Sequence, residues 1–162
     1  MQNHSALRPD SSMPLPALII GAAGLLAFFA LAAAIMLFPE PNLSYYPGWL
    51  TQYGALIASF VGALQWRLAM RSPQADSGLQ WAAFGWGVCP ALIAWVALRL
   101  PQYEGVCLLA ALFVLCLVMD RRFARRHAMP RWFMRLRAAL TAGAVLSLAL
   151  AGLALAGHGG HH

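Results

Sequence analysis

Long apolar runs separated by short polar stretches organise this chain. Residues 17–38 (ALIIGAAGLLAFFALAAAIMLF) carry no charge. At about 1.5 Å of rise per residue, such a helix spans a hydrocarbon core about 30 Å thick. The run exceeds the ~7–15 residues of a signal-peptide h-region, and IMLF directly follows its small-residue stretch, so a retained helix is expected rather than a cleaved leader. Residues 50–70 form a second, more polar span containing Gln52, Tyr53, Ser59 and Gln65. Residues 79–98 form a third, with Pro90 at its centre, where a kink is expected. Residues 105–119 form a short fourth span and 138–156 a fifth. Between them lie PEPNLSYYPGW (39–49), RSPQADSG (71–78), RLPQYE (99–104) and a charged segment at 120–137. Proline, glycine and asparagine in the first of these read as a turn, and Tyr45, Tyr46 and Trp49 as an interfacial aromatic belt. Residues 1–16 and 157–162 read as tails flanking one transmembrane domain over 17–156. The fold expected is all-α: a bundle of about five transmembrane helices.

Composition agrees with a lipid-solvated chain. Of 162 residues, 61% are hydrophobic and 10% charged, whereas soluble domains are about a quarter charged. The formal charge of +6 is carried by arginine alone, and those arginines flank apolar spans, so topology explains them and nucleic-acid binding is not expected. Arg8, Arg67, Arg71, Arg121, Arg122, Arg125, Arg126, Arg131, Arg135 and Arg137 fall on one side of a five-span bundle, and Arg99 alone on the other. Positive residues remain cytoplasmic, which puts the N-terminus inside and the C-terminus outside. The bacterial inner membrane is the expected location, with the mitochondrial inner membrane as the alternative.

Four features bear on function. Gly54, Ala58 and Gly62 recur every fourth residue, with Ser59 beside them and Trp66 one turn on, forming a small-residue face for packing within the bundle or against a partner. Arg121, Arg122, Arg125, Arg126, Arg131, Arg135 and Arg137 form a basic segment expected to contact anionic phospholipid headgroups. Asp120, the only acid there, is expected to pair with a nearby arginine, Arg137 being placed to meet it across the hairpin. No ionisable residue lies in the middle of any span, which argues against a proton relay, a pump or a haem protein. Cys89, Cys107 and Cys116 sit in apolar runs as small hydrophobes. The HGGHH tail lacks a scaffold, so no metal is expected. No catalytic constellation is present and no cofactor is expected.

In chain order, Trp49, Tyr53, Gly54, Ala55, Ser59, Phe60, Gly62 and Trp66 form one signature. Pro90 and Trp95 form a second, and Asp120, Pro130, Trp132, Leu136, Arg137, Leu140 and Thr141 a third. On these residues, over roughly 17–150, the chain resembles the transmembrane protein 69 family, small multi-span membrane proteins without an established activity. Ala63 and Gln65 depart from the family pattern, in which a glycine and a basic or histidine residue are usual. The resemblance implies a membrane protein and carries over neither catalytic residues nor a cofactor.

The leading expectation is a non-enzymatic accessory, assembly or scaffolding component of an inner-membrane complex, with a membrane-protein partner or a second copy of the chain. The alternative is a lipid- or small-solute-handling transporter or channel, with a cavity between spans two, three and four and Pro90 as hinge. The second alternative is an interfacial enzyme acting on lipid, which needs His127, Asp120 and the arginines in one headgroup-level pocket.

Overall fold

The computed structural model describes residues 13–38, 45–70, 77–126 and 131–158. Five helices account for nearly all of these: α1 (Leu15–Leu37), α2 (Tyr45–Met70), α3 (Ser77–Ala97), α4 (Gln102–Arg126) and α5 (Arg131–His158). Three of them, α1, α4 and α5, contain stretches long and apolar enough to cross a membrane among the described residues.

Helices extend further than the hydropathy boundaries. The Tyr-Tyr-Pro-Gly-Trp stretch, read as a connection, is the first turns of α2. Pro47 is tolerated there because the first amides of a helix have no intrahelical acceptor to lose. Likewise the charged segment is mostly helix: α4 continues to Arg126 and α5 begins at Arg131. Arginine is a good helix former, so loss of hydropathy does not end the helix. Residues 127–130, including His127, lie outside the described residues. α3 runs through Pro90 as one helix.

The helices form a closed ring in chain order. α1 packs on α2 and α5, α3 on α2 and α4, and α4 on α5, while α2 and α4 also meet across the ring. Each helix turns one stripe inward at helical spacing: Phe28, Ala32 and Ile35 on α1, and Val106, Leu109, Phe113, Cys116 and Asp120 on α4. The outward faces keep large apolar residues exposed, among them Trp81, Leu92, Trp95 and Leu153. A soluble surface would not carry these; a lipid-facing one does.

Close approach defines two seams. A Cβ added at Gly62 would stand 2.5 Å from the Gly87 carbonyl oxygen, and one at Gly105 2.6 Å from that of Ala97. At both places only a hydrogen fits between one helix and the backbone of α3. The α-hydrogen of Gly62 therefore faces the Gly87 carbonyl, the geometry of a weak Cα–H···O contact.

Three helix hydroxyls are satisfied locally. Thr51 donates to the Pro47 and Gly48 carbonyls, Ser59 to Ala55 at 2.8 Å and Ser147 to Gly143 at 3.0 Å. Tyr53 instead reaches across to the Gly24 carbonyl of α1 at 3.0 Å, with its ring edge-on to Phe28. Tyr53→Phe is expected to lower stability in detergent by about 0.5–1 kcal/mol, read from thermal unfolding, because one interhelical hydrogen bond is lost without a cavity.

Candidate functional site

The small-residue face of α2 is occupied from within. Gly54 lies against Leu109, Phe28 and Phe113, and Gly62 against α3. Ala58 is fully buried, and Ser59 is half-buried with its hydroxyl turned to its own helix. This face therefore packs against α1, α3 and α4 at Gly54 and Gly62. The side chain of Trp66 lies outside the described residues. Pro90 is buried and presents its ring to Gly62.

The charged residues divide into two sets. Arg121, Arg122, Arg131 and Arg135 are exposed at one end of the bundle, the end where α1 begins. The side chains of Arg125 and Arg126 lie outside the described residues. Arg137 belongs to neither group of surface arginines. It is 8% exposed, and its Nε donates to Oδ2 of Asp120, itself 6% exposed, at 2.7 Å. The hydropathy boundaries put both residues outside the spans, so the expected pairing of Asp120 with Arg137 reads there as a loop contact and not as a buried one. Both lie instead within the longer helices, facing each other across the α4–α5 hairpin.

Two polar atoms beside this pair are left over. Arg137 Nη2 and Thr141 Oγ1 are buried and have no hydrogen-bond partner among the described residues. Thr141 is one helical turn beyond Arg137, so both project on the same side of α5. Unlike Thr51, Ser59 and Ser147, it does not turn its hydroxyl back to its own helix. An unmatched buried polar group costs about 1–3 kcal/mol, so two together are a conspicuous expense.

Both residues line a cleft of about 220 Å³ between α1, α2 and α5, with Phe113 of α4 reaching into it. Its walls are otherwise almost wholly apolar, from Gly24 and Phe28 on α1, Phe60 and Val61 on α2, and Leu140 and Ala144 on α5. Exposed Ile20 and Phe60 also line it, so it opens on the outer surface of the bundle. This differs from the cavity between spans two, three and four that a transporter was expected to show. There the seam is closed by the contact of Gly62 with Gly87 and Pro90. Of the residues an interfacial enzyme needs, Asp120 is engaged by Arg137 and Arg121 and Arg122 are exposed, while His127 and the side chains of Arg125 and Arg126 lie outside the described residues. Among the described residues, no group of three or more His, Cys, Asp or Glu side chains could hold a metal ion.

The model of a family described as "Protein of unknown function (DUF3429)" matches residues 13–153, nearly the whole helical region. The chain belongs to this family. It is also 32% identical over 138 residues to Transmembrane protein 69 of Xenopus tropicalis, an alignment covering 83% of this chain and 53% of that protein. The resemblance read from the sequence signatures is thus confirmed. The chain spans about half the length of this relative. No solved structure matches. Family membership, apolar helices and lipid-facing exterior together identify an integral membrane protein of helical architecture.

The cleft-lining residues that sequence reasoning passed over include Thr141, Phe28 and Phe113. Thr141 was on the page as part of the Asp…Leu-Arg…Leu-Thr signature. Its meaning depends on Asp120 and Arg137 being inside the bundle, which hydropathy alone does not give.

Proposed function

We propose that the protein is a non-enzymatic, multi-pass membrane protein that binds lipid, with an acyl chain held in the cleft between α1, α2 and α5. All five helices cross the membrane in this reading. The arginine-rich end faces the cytoplasm, following the positive-inside bias, and in a bacterium the membrane is the inner one. One observation carries the proposal: an apolar cleft, open at the bundle surface, whose lining includes Arg137 and Thr141, each with a buried polar atom that has no partner among the described residues. An apolar wall with a few convergent polar groups is the usual form of a small-molecule site. In a lipid-facing protein, the molecules at hand to fill it are lipids. The expected accessory role leaned on the small-residue face of α2 as a partner surface. That face is filled, so the cleft is the better guide.

The proposal is tested by filling the cleft. Gly24 lines it, and an added Cβ there makes only an ordinary contact, 3.5 Å from the Tyr53 oxygen. The first carbon is thus accommodated, and Gly24→Leu extends from it to occupy the space. Native mass spectrometry of protein purified from membranes is expected to show about one retained lipid per wild-type chain and little on Gly24→Leu at equal thermal stability. Equal retention by both would contradict the cleft as the binding place.

A further inference from the structure

We infer that the ligand is recognised through a carbonyl oxygen: the acyl ester of a membrane glycerolipid accepts hydrogen bonds from Arg137 Nη2 and Thr141 Oγ1 while its chain lies along the cleft. This rests on the lipid-binding reading above and adds the chemical group that is read.

Three observations select that group. The first is donor chemistry. A guanidinium N–H only donates, and the Thr141 hydroxyl can donate beside it, so the complement is an acceptor. The second is charge. Asp120 already neutralises Arg137 at 2.7 Å in a buried setting. A phosphate or carboxylate placed there would add an uncompensated negative charge in a low dielectric, which is costly. A neutral carbonyl carries no such penalty. Asp120 acts as a positioning residue: it holds Nε, which fixes the guanidinium plane and leaves Nη2 unmatched on a residue that lines the cleft.

The third is depth. α5 has 28 residues, about 42 Å of helix, against a hydrocarbon core of about 30 Å. Arg137 is six residues from the start of α5, hence about 9 Å along it. With the helix centred, that is just inside the edge of the hydrocarbon, where glycerolipid esters lie between headgroup and chain. The exposed Arg131 and Arg135 stand at the headgroup side of the same level. The cleft volume, about 220 Å³, is below the ~300–1,000 Å³ of pockets that enclose whole ligands, so it takes one chain and leaves the headgroup outside. A lipid-soluble quinone would offer the same kind of acceptor on a ring, and the experiment separates the two sources.

The test uses the full chain, delipidated in detergent and titrated with synthetic lipids by native mass spectrometry. Ester-linked phosphatidylcholine and its ether-linked analogue share headgroup and chain length and differ in the carbonyls. The ester lipid is expected to bind roughly 3- to 10-fold more tightly, the worth of one or two hydrogen bonds. Thr141→Val, nearly isosteric, is expected to shrink that preference and to leave the delipidated protein as stable or more so, since it removes an unmatched buried hydroxyl. Phosphatidylglycerol with the same chains is expected to show the same ester-over-ether preference as phosphatidylcholine, whatever its headgroup gains from the exposed arginines. Equal binding of ester and ether lipids would overturn the carbonyl reading. An anionic preference of equal size in ester and ether lipids, with no ester preference beside it, would overturn it in favour of charge recognition, and displacement of ester lipid by ubiquinone would overturn the ester as source. Loss of ester and ether binding alike in Gly24→Leu separates these failures from failure of the cleft itself.

Discussion

Asp120→Ala is expected to destabilise the bundle by about 3–5 kcal/mol, read from chemical or thermal unfolding in detergent. The cost is more than the lost hydrogen bond. Arg137 would remain 8% exposed with no counter-charge, and removing one member of a buried pair leaves the other charge uncompensated. Removing both charges is a different matter. Asp120→Leu combined with Arg137→Met replaces the pair by apolar groups of similar size, and should recover most of the stability, since buried pairs seldom gain much over a packed apolar substitute. The double variant should also lose the ester preference, which separates the stability of the pair from its use. A double variant as unstable as the single one would mean the pair is needed for packing itself.

The second large effect is expected at the α2–α3 seam. Gly62→Ala places a methyl 2.5 Å from the Gly87 carbonyl oxygen, a distance that real Cβ atoms essentially never show. The obstacle is backbone, so α2 and α3 must separate, and Pro90 at 3.2 Å moves with them. Overpacking of this kind costs about 1–3 kcal/mol, measurable as a lowered unfolding midpoint. Gly85→Ala is the control: nothing lies within 4 Å of the added methyl, and the better helix propensity of alanine should leave stability equal or raised by up to about 1 kcal/mol. Gly54→Ala should fall between them, because its tightest neighbour, Leu109 Cδ1 at 3.2 Å, is a side-chain tip that can shift.

The fold was largely legible because a membrane makes hydropathy decisive. A run such as residues 17–38 has few alternatives to a helix once it must satisfy its own backbone in lipid. Boundaries were less legible, and for a physical reason. Arg121, Arg122, Arg131 and Arg135 are hydrophilic yet favour helix, so α4 and α5 run on past the point where hydropathy falls. That error of several residues concealed the site. With span four ending at residue 119 and span five starting at 138, Asp120 and Arg137 read as loop charges, and Thr141 as one more residue of an apolar run. The spacing of Gly54, Ala58 and Gly62 points to a face suited to close packing, but spacing cannot say whether the neighbour belongs to the same chain. Gly87 and Pro90 supply that answer only in three dimensions. The cleft was not legible at all, since Phe28, Phe60 and Leu140 come from three helices distant in sequence.

The most direct test of the lipid-binding cleft is photocrosslinking in a bilayer, using a phosphatidylcholine whose acyl chain carries a diazirine, followed by peptide mapping. The expected result is adducts concentrated on the cleft segments around Gly24, Phe60 and Leu140, and lost from them in Gly24→Leu. Adducts spread around the perimeter in proportion to exposure, with Leu92 and Trp95 of α3 labelled as heavily as the cleft, would contradict it.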